Sequence, residues 1–381
     1  MAASRAYLDW NATAPLLPAA REAMLRALDC PGNPSSIHAE GRAARAIVEQ
    51  ARADVAALVG GEAENVVFTS GASEAANALF SAGLSGCCGK DICGLMRPIV
   101  LSTEHVAVIA AGNSAPILLV DGDGLIDFEA LDKELASGGP ALVAVQLANN
   151  ETGVIQPIRE IADKVHAAGG ALVVDAVQGP GRIAVDIAAL GADALFLSAH
   201  KFGGPKGAGA IVFADSRTRL ARAFIAGGGQ ERGQRGGTEN IPGIAGMGAA
   251  AKAVRAPDEA AEKMSQLRDE FENRLNRLGA DLHVVGKRAP RLPNTSLFAV
   301  RGLRAEQALI AFDLDGIAVS SGSACSSGKV KASHVLQAMG EHDFVRAGAI
   351  RVSIGPATEW NDLERCLSSL ERQMARRGRA A

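Results

Sequence analysis

The sequence predicts an α/β fold on a mostly parallel sheet, followed by a smaller α/β unit, and three observations carry this. Short apolar runs recur up to about residue 255: PIVLST, PILLV, ALVAVQLA, ALVVDAV, ALFLSA and GAIVFA. Helical stretches such as IREIADKVHAAGG separate several of them. Strands that are apolar on both faces and alternate with helices belong to a parallel sheet covered on both sides. After about Ala256 the pattern changes to a long charged helix and a second set of short strands and helices.

In chain order, Ser36 to Val59 reads as a helix, because Ala44, Ile47, Val48, Ala51, Val55, Leu58 and Val59 share one face. GNPSS at Gly32–Ser36 supplies breakers and a cap before it. A strand at Asn65–Thr69 leads through a glycine into the helical SEAANALFSAGL. The apolar runs follow as strands. PDEAAEKMSQLRDEFENRLNRLG is a charged amphipathic helix, suited to joining a large body to a small one. NTSLFAV, IAVSS and AIRVSIG then read as strands, and AEQALIAFDLDG and WNDLERCLSSLERQM as helices. The basic ARRGRAA reads as a frayed, solvated helix end that complements the dipole.

A chain of 381 residues, 48% apolar and 21% charged, is a globular protein with room for one large domain and a smaller one. A net charge of −3 offers no electrostatic footprint for nucleic acid. No run of about 18 apolar residues suits a membrane span. MAASRAYLDWNATAP carries no apolar signal core, so a cytoplasmic location is expected.

The cysteines are Cys30, Cys87, Cys88, Cys93, Cys325 and Cys366. The CC-x4-C spacing of Cys87, Cys88 and Cys93 matches no common zinc or disulfide framework and reads as a Gly-rich surface loop without metal. Cys366 shares a helical face with Leu363, Leu367 and Leu370 and reads as core. Cys325 lies in SSGSACSSGKV among serines and glycines, where a packing cysteine finds no apolar company. Either it is incidental to a solvated loop, or its sulfur has to be reachable.

The most informative stretch is LFLSAHKFGGPKG, in which a strand ends in Ser198, His200 and Lys201 and glycines follow at once. Asp175 and Gln178 end another strand, Asp175 lying 26 residues before Lys201. Ligands of open α/β sheets bind at the carboxyl ends of strands, so these residues converge on one crevice. A lysine there suits a Schiff base, and a nearby carboxylate suits a protonated pyridine nitrogen: the needs of pyridoxal phosphate. Gly71, Ala72 and Ser73 form a strand-to-helix turn whose free amides favour a phosphate. Taken singly, each feature has an ordinary reading. The turn could be a plain helix start, Arg351 a strand-end salt bridge, His105 a structural histidine, and GGGQERGQRGGTEN a flexible loop.

Ten blocks, taken together and in order, resemble the cysteine desulfurases of the NifS/IscS type, within the class V aminotransferase group of fold-type I pyridoxal-phosphate enzymes. They are YLDWNATAP, GNPSSIHAEGRAA, FTSGASEAAN, STEHVAV, NNETGVIQPI, VDAVQGPGR, SAHKFGGPKG, GGGQERGQRGGTEN, SSGSAC and IRVSIG. The resemblance covers nearly the whole chain. It implies a mostly parallel seven-stranded sheet in a large domain at 15–255, with a small α/β domain from 1–14 and 256–381 that carries the loop 320–330.

By motif position, the resemblance implies that Lys201 carries pyridoxal 5'-phosphate and moves protons at the substrate. Asp175 would pair with the ring nitrogen, Gln178 hydrogen-bond the ring's phenolic oxygen, and His105 stack on the ring. Ala72, Ser73, Ser198 and His200 would hold the phosphate. Thr238 would reach the phosphate of a partner subunit, making the site a property of a homodimer. Asn150, beside the cofactor, and Arg351 would hold the carboxylate of L-cysteine. Cys325 would take the substrate's sulfur as a persulfide, release alanine, and pass the sulfur to an acceptor or iron–sulfur scaffold protein.

Departures from the family pattern, at Trp10, Ala14, Val177 and Pro180, touch none of these groups. The chain lacks the longer tail that some relatives use to dock a scaffold, which leaves the acceptor open. Two rival readings remain. One is another class V enzyme, an aminotransferase or a lyase for selenocysteine or cysteine sulfinate, with no need of a nucleophilic loop cysteine. The other is a catalytically silent sulfur carrier on the same fold.

Overall fold

Residues 5–87, 96–255, 258–279, 281–322 and 333–378 are described by a computed structural model. The central sheet has seven strands: β1 (Val66–Thr69), β2 (Arg97–Leu101), β3 (Ile117–Leu118), β4 (Ala141–Gln146), β5 (Ala171–Asp175), β6 (Ala194–Ser198) and β7 (Gly209–Phe213). Their order is β1-β7-β6-β5-β4-β2-β3, and only β7 runs against the rest. Every residue of β4, β5, β6 and β7 is buried, which is why these segments read as unbroken apolar runs.

Successive residues of one strand enter two different cores. Val143 and Val145 pack with the helices Pro18–Leu28, Ala39–Leu58, Ile158–Ala167 and Ile241–Ala253. Leu142 and Ala144 pack with Ala72–Ala82 and Val106–Ala111 on the opposite face. Burying side chains of this size stabilises by roughly 1.5–3 kcal/mol each. Both faces are thereby sealed, and the open edge at the strands' carboxyl ends is left for chemistry.

A second sheet is antiparallel: β8 (Leu282–Val284), β9 (Thr295–Val300), β10 (Ser320–Ser321) and β11 (Ile350–Ser353), in the order β8-β9-β11-β10. The helices Asp258–Arg277, Ala305–Leu314 and Trp360–Gly378 share its core. The N-terminal Ala6–Tyr7 joins this region by pairing in parallel with Ile317–Ala318.

Several local expectations shift. The helix expected from Ser36 begins at Ala39, capped by His38, whose Nδ1 accepts from the Gly41 amide at 3.3 Å. Ser36 instead packs outside the first turn, so close to Gly41 that a Cβ there would overlap it. IAVSS is not one strand: Ile317–Ala318 pairs with the N-terminus and Ser320–Ser321 with β11. PILLV keeps only the edge strand β3, and Leu119 beyond it is exposed. The C-terminal helix runs through Gly378, so the basic ARRGRAA begins as its last turn, and residues 379–381 lie outside the described ones.

Cys87 is not on the surface: it is 1% exposed and belongs to the core beside Ala72–Ala82. Cys88, Cys93 and Cys325 lie outside the described residues. Cys366 is core as expected, and burial pushes its thiol up to about 12. Among the described residues no helix is long and apolar enough to cross a membrane.

Candidate active site

A cavity of about 530 Å³ opens at the carboxyl edge of the central sheet. Ala72, Ser73, His105, Asn150, Asp175, Gln178, Ser198, His200 and Lys201 all line it. They reach it because β4, β5 and β6 end side by side, and β1, across the antiparallel β7, ends at the same edge.

One end of the cavity is built for an anion. Gly71, with φ of 154°, caps the helix Ala72–Ala82 in a conformation that side chains disfavour, and a Cβ on the facing Gly209 would lie 2.6 Å from the Gly71 Cα. The first-turn amides of that helix have no intrahelical acceptor and carry its positive dipole end. Ser198, His200 and Lys206 line the same cavity. Thr13 Oγ1 sits 3.0 Å from His200 Nδ1. Burial, then the charges of Lys201, Lys206 and Arg182, hold the His200 imidazole down to about 4.

The opposite wall is acidic. Asp175 ends β5, and its Oδ1 accepts from the Val177 amide at 3.0 Å. Burial pushes this carboxyl up to about 6, against the pull of that amide and of Lys201. A ring cation against Asp175 would restore its charge. Gln178 Nε2 donates to the Asn11 carbonyl at 3.2 Å and keeps a second hydrogen for a ring oxygen, while its buried Oε1 has no partner. Lys201 Nζ donates to the carbonyls of Asn11 and Ala12, at 2.7 and 3.0 Å.

His105 caps the helix Val106–Ala111, with Nδ1 accepting from the Ala107 amide at 3.2 Å. That bond leaves the hydrogen of a neutral ring on Nε2. Burial first, then Lys201 and His334, bring His105 down to about 4.

An acid at one wall, an anion pocket at one end and a lysine between them is the donor set that pyridoxal phosphate requires. The residues present fit that group, in a volume typical of cofactor sites.

Arg351 does not line the cavity; it lies one layer behind, 3% exposed. Its Nη1 donates to the Asn150 carbonyl at 2.9 Å and its Nη2 to Asp9 at 2.7 Å, while Nε is buried without a partner. Thr238 is exposed and absent from the cavity of its own chain.

A family model described as aminotransferase class-V matches residues 6–366. The chain belongs to the aminotransferase class-V family. The "Cysteine desulfurase" of Cereibacter sphaeroides is 40% identical over 377 residues, covering 96% of this chain and 95% of that protein. The "Cysteine desulfurase IscS" of Dictyoglomus turgidum is 38% identical over 377 residues, covering 96% and 93%. The structure of a NifS-like protein from Rickettsia africae superposes with a TM-score of 0.86 at 32% identity, over 97% of this chain and 99% of that one. Class-V proteins of this kind are enzymes that use pyridoxal phosphate.

This class-V chain also places residues at the site that sequence reasoning missed. Asn11, Ala12 and Thr13 were quoted in YLDWNATAP without a role, yet they hold Lys201, Gln178 and His200. Arg182, 4% exposed, donates to the carbonyls of Gln178 and Lys201 and so ties two segments of the cavity wall together. Burial, then the charge of Arg351, lowers it to about 10, so it stays cationic. Glu104 is fully buried, and neither carboxyl oxygen has a hydrogen bond of ordinary geometry. Burial, then the charge of Asp175, keeps its proton on well above the usual carboxylate range. Glu104 and Arg182 lie in STEHVAV and VDAVQGPGR as Asn11, Ala12 and Thr13 lie in YLDWNATAP, so those motifs were the signal that could have pointed to all five.

Proposed function

We propose that this protein is a cysteine desulfurase: it takes sulfur from L-cysteine, releases L-alanine and carries the sulfur as a persulfide on Cys325. The observation that supports this most is the single cavity joining Lys201, Asp175 and the Gly71–Ser73 turn. Pyridoxal 5'-phosphate would be held by Lys201, Asp175, Gln178 and His105 around the ring and by Ala72, Ser73, Ser198 and His200 at the phosphate. Bound there, it supplies an electron sink for bonds broken at the substrate's α-carbon.

The chain's own groups do the rest. Asn150 and Arg351 orient the substrate carboxylate, Arg351 exchanging its bond to Asp9 for it, a job suited to a guanidinium fork. Lys201 Nζ takes the α-proton and returns it during the cycle. His105, neutral at physiological pH, offers its Nε2–H beside the ring. The Cys325 thiolate bonds to the substrate's sulfur. The Cβ–S bond then breaks, its electron pair stays on the carbon skeleton, and that skeleton takes up a proton and leaves as alanine.

The proposal includes a homodimer in which Thr238 faces the partner's phosphate site, and a sulfur-acceptor or iron–sulfur scaffold protein as recipient. It also includes a large domain at 15–255, a small one from 1–14 and 256–381, and a cytoplasmic location. Mass spectrometry after incubation with L-cysteine tests it. One added sulfur is expected on the Cys325 peptide, and Cys325→Ala should abolish sulfur release while cofactor binding persists. Full sulfur release by that variant would overturn the reading in favour of a lyase.

A further inference from the structure

Glu74 puts a carboxylate at the end of the cavity that is built for an anion. It is the third residue of the helix Ala72–Ala82 and lines the cavity beside Ala72 and Ser73. Its local job is capping: Oε2 accepts from the Ser70 amide at 2.8 Å, just ahead of the Gly71 cap. A glutamate three residues past a helix cap commonly reaches back in this way. Burial alone would push the Glu74 carboxyl up, but hydrogen bonds from Arg235 and Ser70, with the charge of Arg235, hold it below the usual carboxylate range. At neutral pH the turn therefore carries a negative charge, on a side chain only 10% exposed.

Arg235 offsets that charge. Its Nε donates to Glu74 Oε1 at 2.9 Å and its Nη2 to Oε2 at 3.4 Å, a fork that closes on the carboxylate from outside the cavity. Arg235 arrives on the glycine-rich loop 227–238, which a second, buried pair folds back. Glu231 accepts from Nη1 and Nη2 of Arg52 at 2.7 and 2.8 Å, and from the Phe68 amide of β1 at 2.8 Å. Glu231 and Arg232 both hold left-handed backbone, with φ of 47° and 56°, which side chains disfavour and these bonds sustain. The Gly236 amide donates to the Ile225 carbonyl at 2.8 Å and closes the loop beside Arg235.

We propose that Arg235 is a positioning residue for the cofactor: it acts through Glu74, cancelling the carboxylate so that the turn can accept a phosphate. This rests on the reading of the Gly71–Ser73 turn as the phosphate site. The other groups facing that end do not replace Arg235. His200 is held neutral, and Lys206 is one cation against a phosphate monoester of about two charges. Without Arg235, the cap and the ligand would compete for one turn. Gln at position 74 would cap equally well, because its amide oxygen accepts from Ser70 and brings no charge.

The test measures retention of pyridoxal 5'-phosphate by equilibrium dialysis, and binding of inorganic phosphate to the cofactor-free chain by competition. Arg235→Gln should weaken both ligands about tenfold, the effect of a bare carboxylate beside a phosphate. Adding Glu74→Gln to Arg235→Gln should bring both back to within about threefold of the native chain. A merely structural role for Arg235 leaves that double variant as weak as the single one. Pyridoxal, which has no phosphate, should bind Arg235→Gln as it binds the native chain. If Arg235→Gln does not fold, Glu74→Gln alone decides: it should bind inorganic phosphate at least about twofold more tightly, since Arg235 is then unopposed. Unchanged affinity in Arg235→Gln, no recovery in the double variant, a loss shared by pyridoxal, or no gain in Glu74→Gln would overturn this inference alone. Inorganic phosphate that fails to compete with pyridoxal 5'-phosphate in the native chain would overturn the underlying reading instead.

Discussion

At the phosphate end of the cavity, Ala72 and Ser73 come from one strand–turn–helix unit, and Ser198, His200 and Lys201 from the end of one strand and its turn. At the proposed substrate end, one layer behind the cavity wall, Arg351 on β11 is held by Asp9 near the N-terminus and by Asn150 after β4. The first end is local geometry repeated at a sheet edge; the second exists only because distant segments meet. The local end can lose one contact and keep its amides and dipole. The assembled end depends on each side chain, because every hydrogen bond there crosses between segments.

Breaking the assembled end should cost most. Arg351→Ala should lower kcat/KM for cysteine by about 100-fold, mainly through KM, since hydrogen bonds to a charged group are worth about 1.5–3 kcal/mol each. Steady-state alanine release checks it, and an unchanged KM would show that the carboxylate is bound elsewhere. A smaller effect is expected at the local end. Ser198→Ala should weaken retention of pyridoxal 5'-phosphate by about tenfold, the low end for one hydrogen bond to a charged group, with KM for cysteine unaltered. Equilibrium dialysis of the cofactor measures that; a shift in KM instead would erase the distinction between the two ends.

The smallest effect separates two histidines. His105 and His200 are both held at about 4, below the usual 6.5, so the folded chain refuses protons that the unfolded chain accepts. The stability they contribute is present above pH 6.5 and is lost as pH falls through about 4. In the cofactor-free protein, nitrogen NMR should find both rings neutral from pH 8 to pH 5.5. Adding inorganic phosphate should raise the midpoint of His200, at the anion end, and leave His105 unmoved. A midpoint above 6 for either ring without phosphate would contradict the burial argument.

Most of the sheet was legible because strands buried on both faces leave unbroken apolar runs, as in ALVVD and ALFLS. IAVSS misled for the same reason: apolarity cannot report that Ile317–Ala318 and Ser320–Ser321 serve different partners. Cys87 misled because neighbouring glycines suggested a surface turn, whereas burial depends on what packs over it.

By itself, then, the sequence determined the α/β class, the lysine, aspartate and phosphate turn, and the odd cysteine, because periodicity and short motifs are properties of adjacent residues. Tertiary structure alone decided that Asn11 and Ala12 hold Lys201, that Asp9 holds Arg351, and that Arg235 meets Glu74. Each of those contacts spans well over a hundred residues, and no local pattern encodes which two segments the fold will bring together.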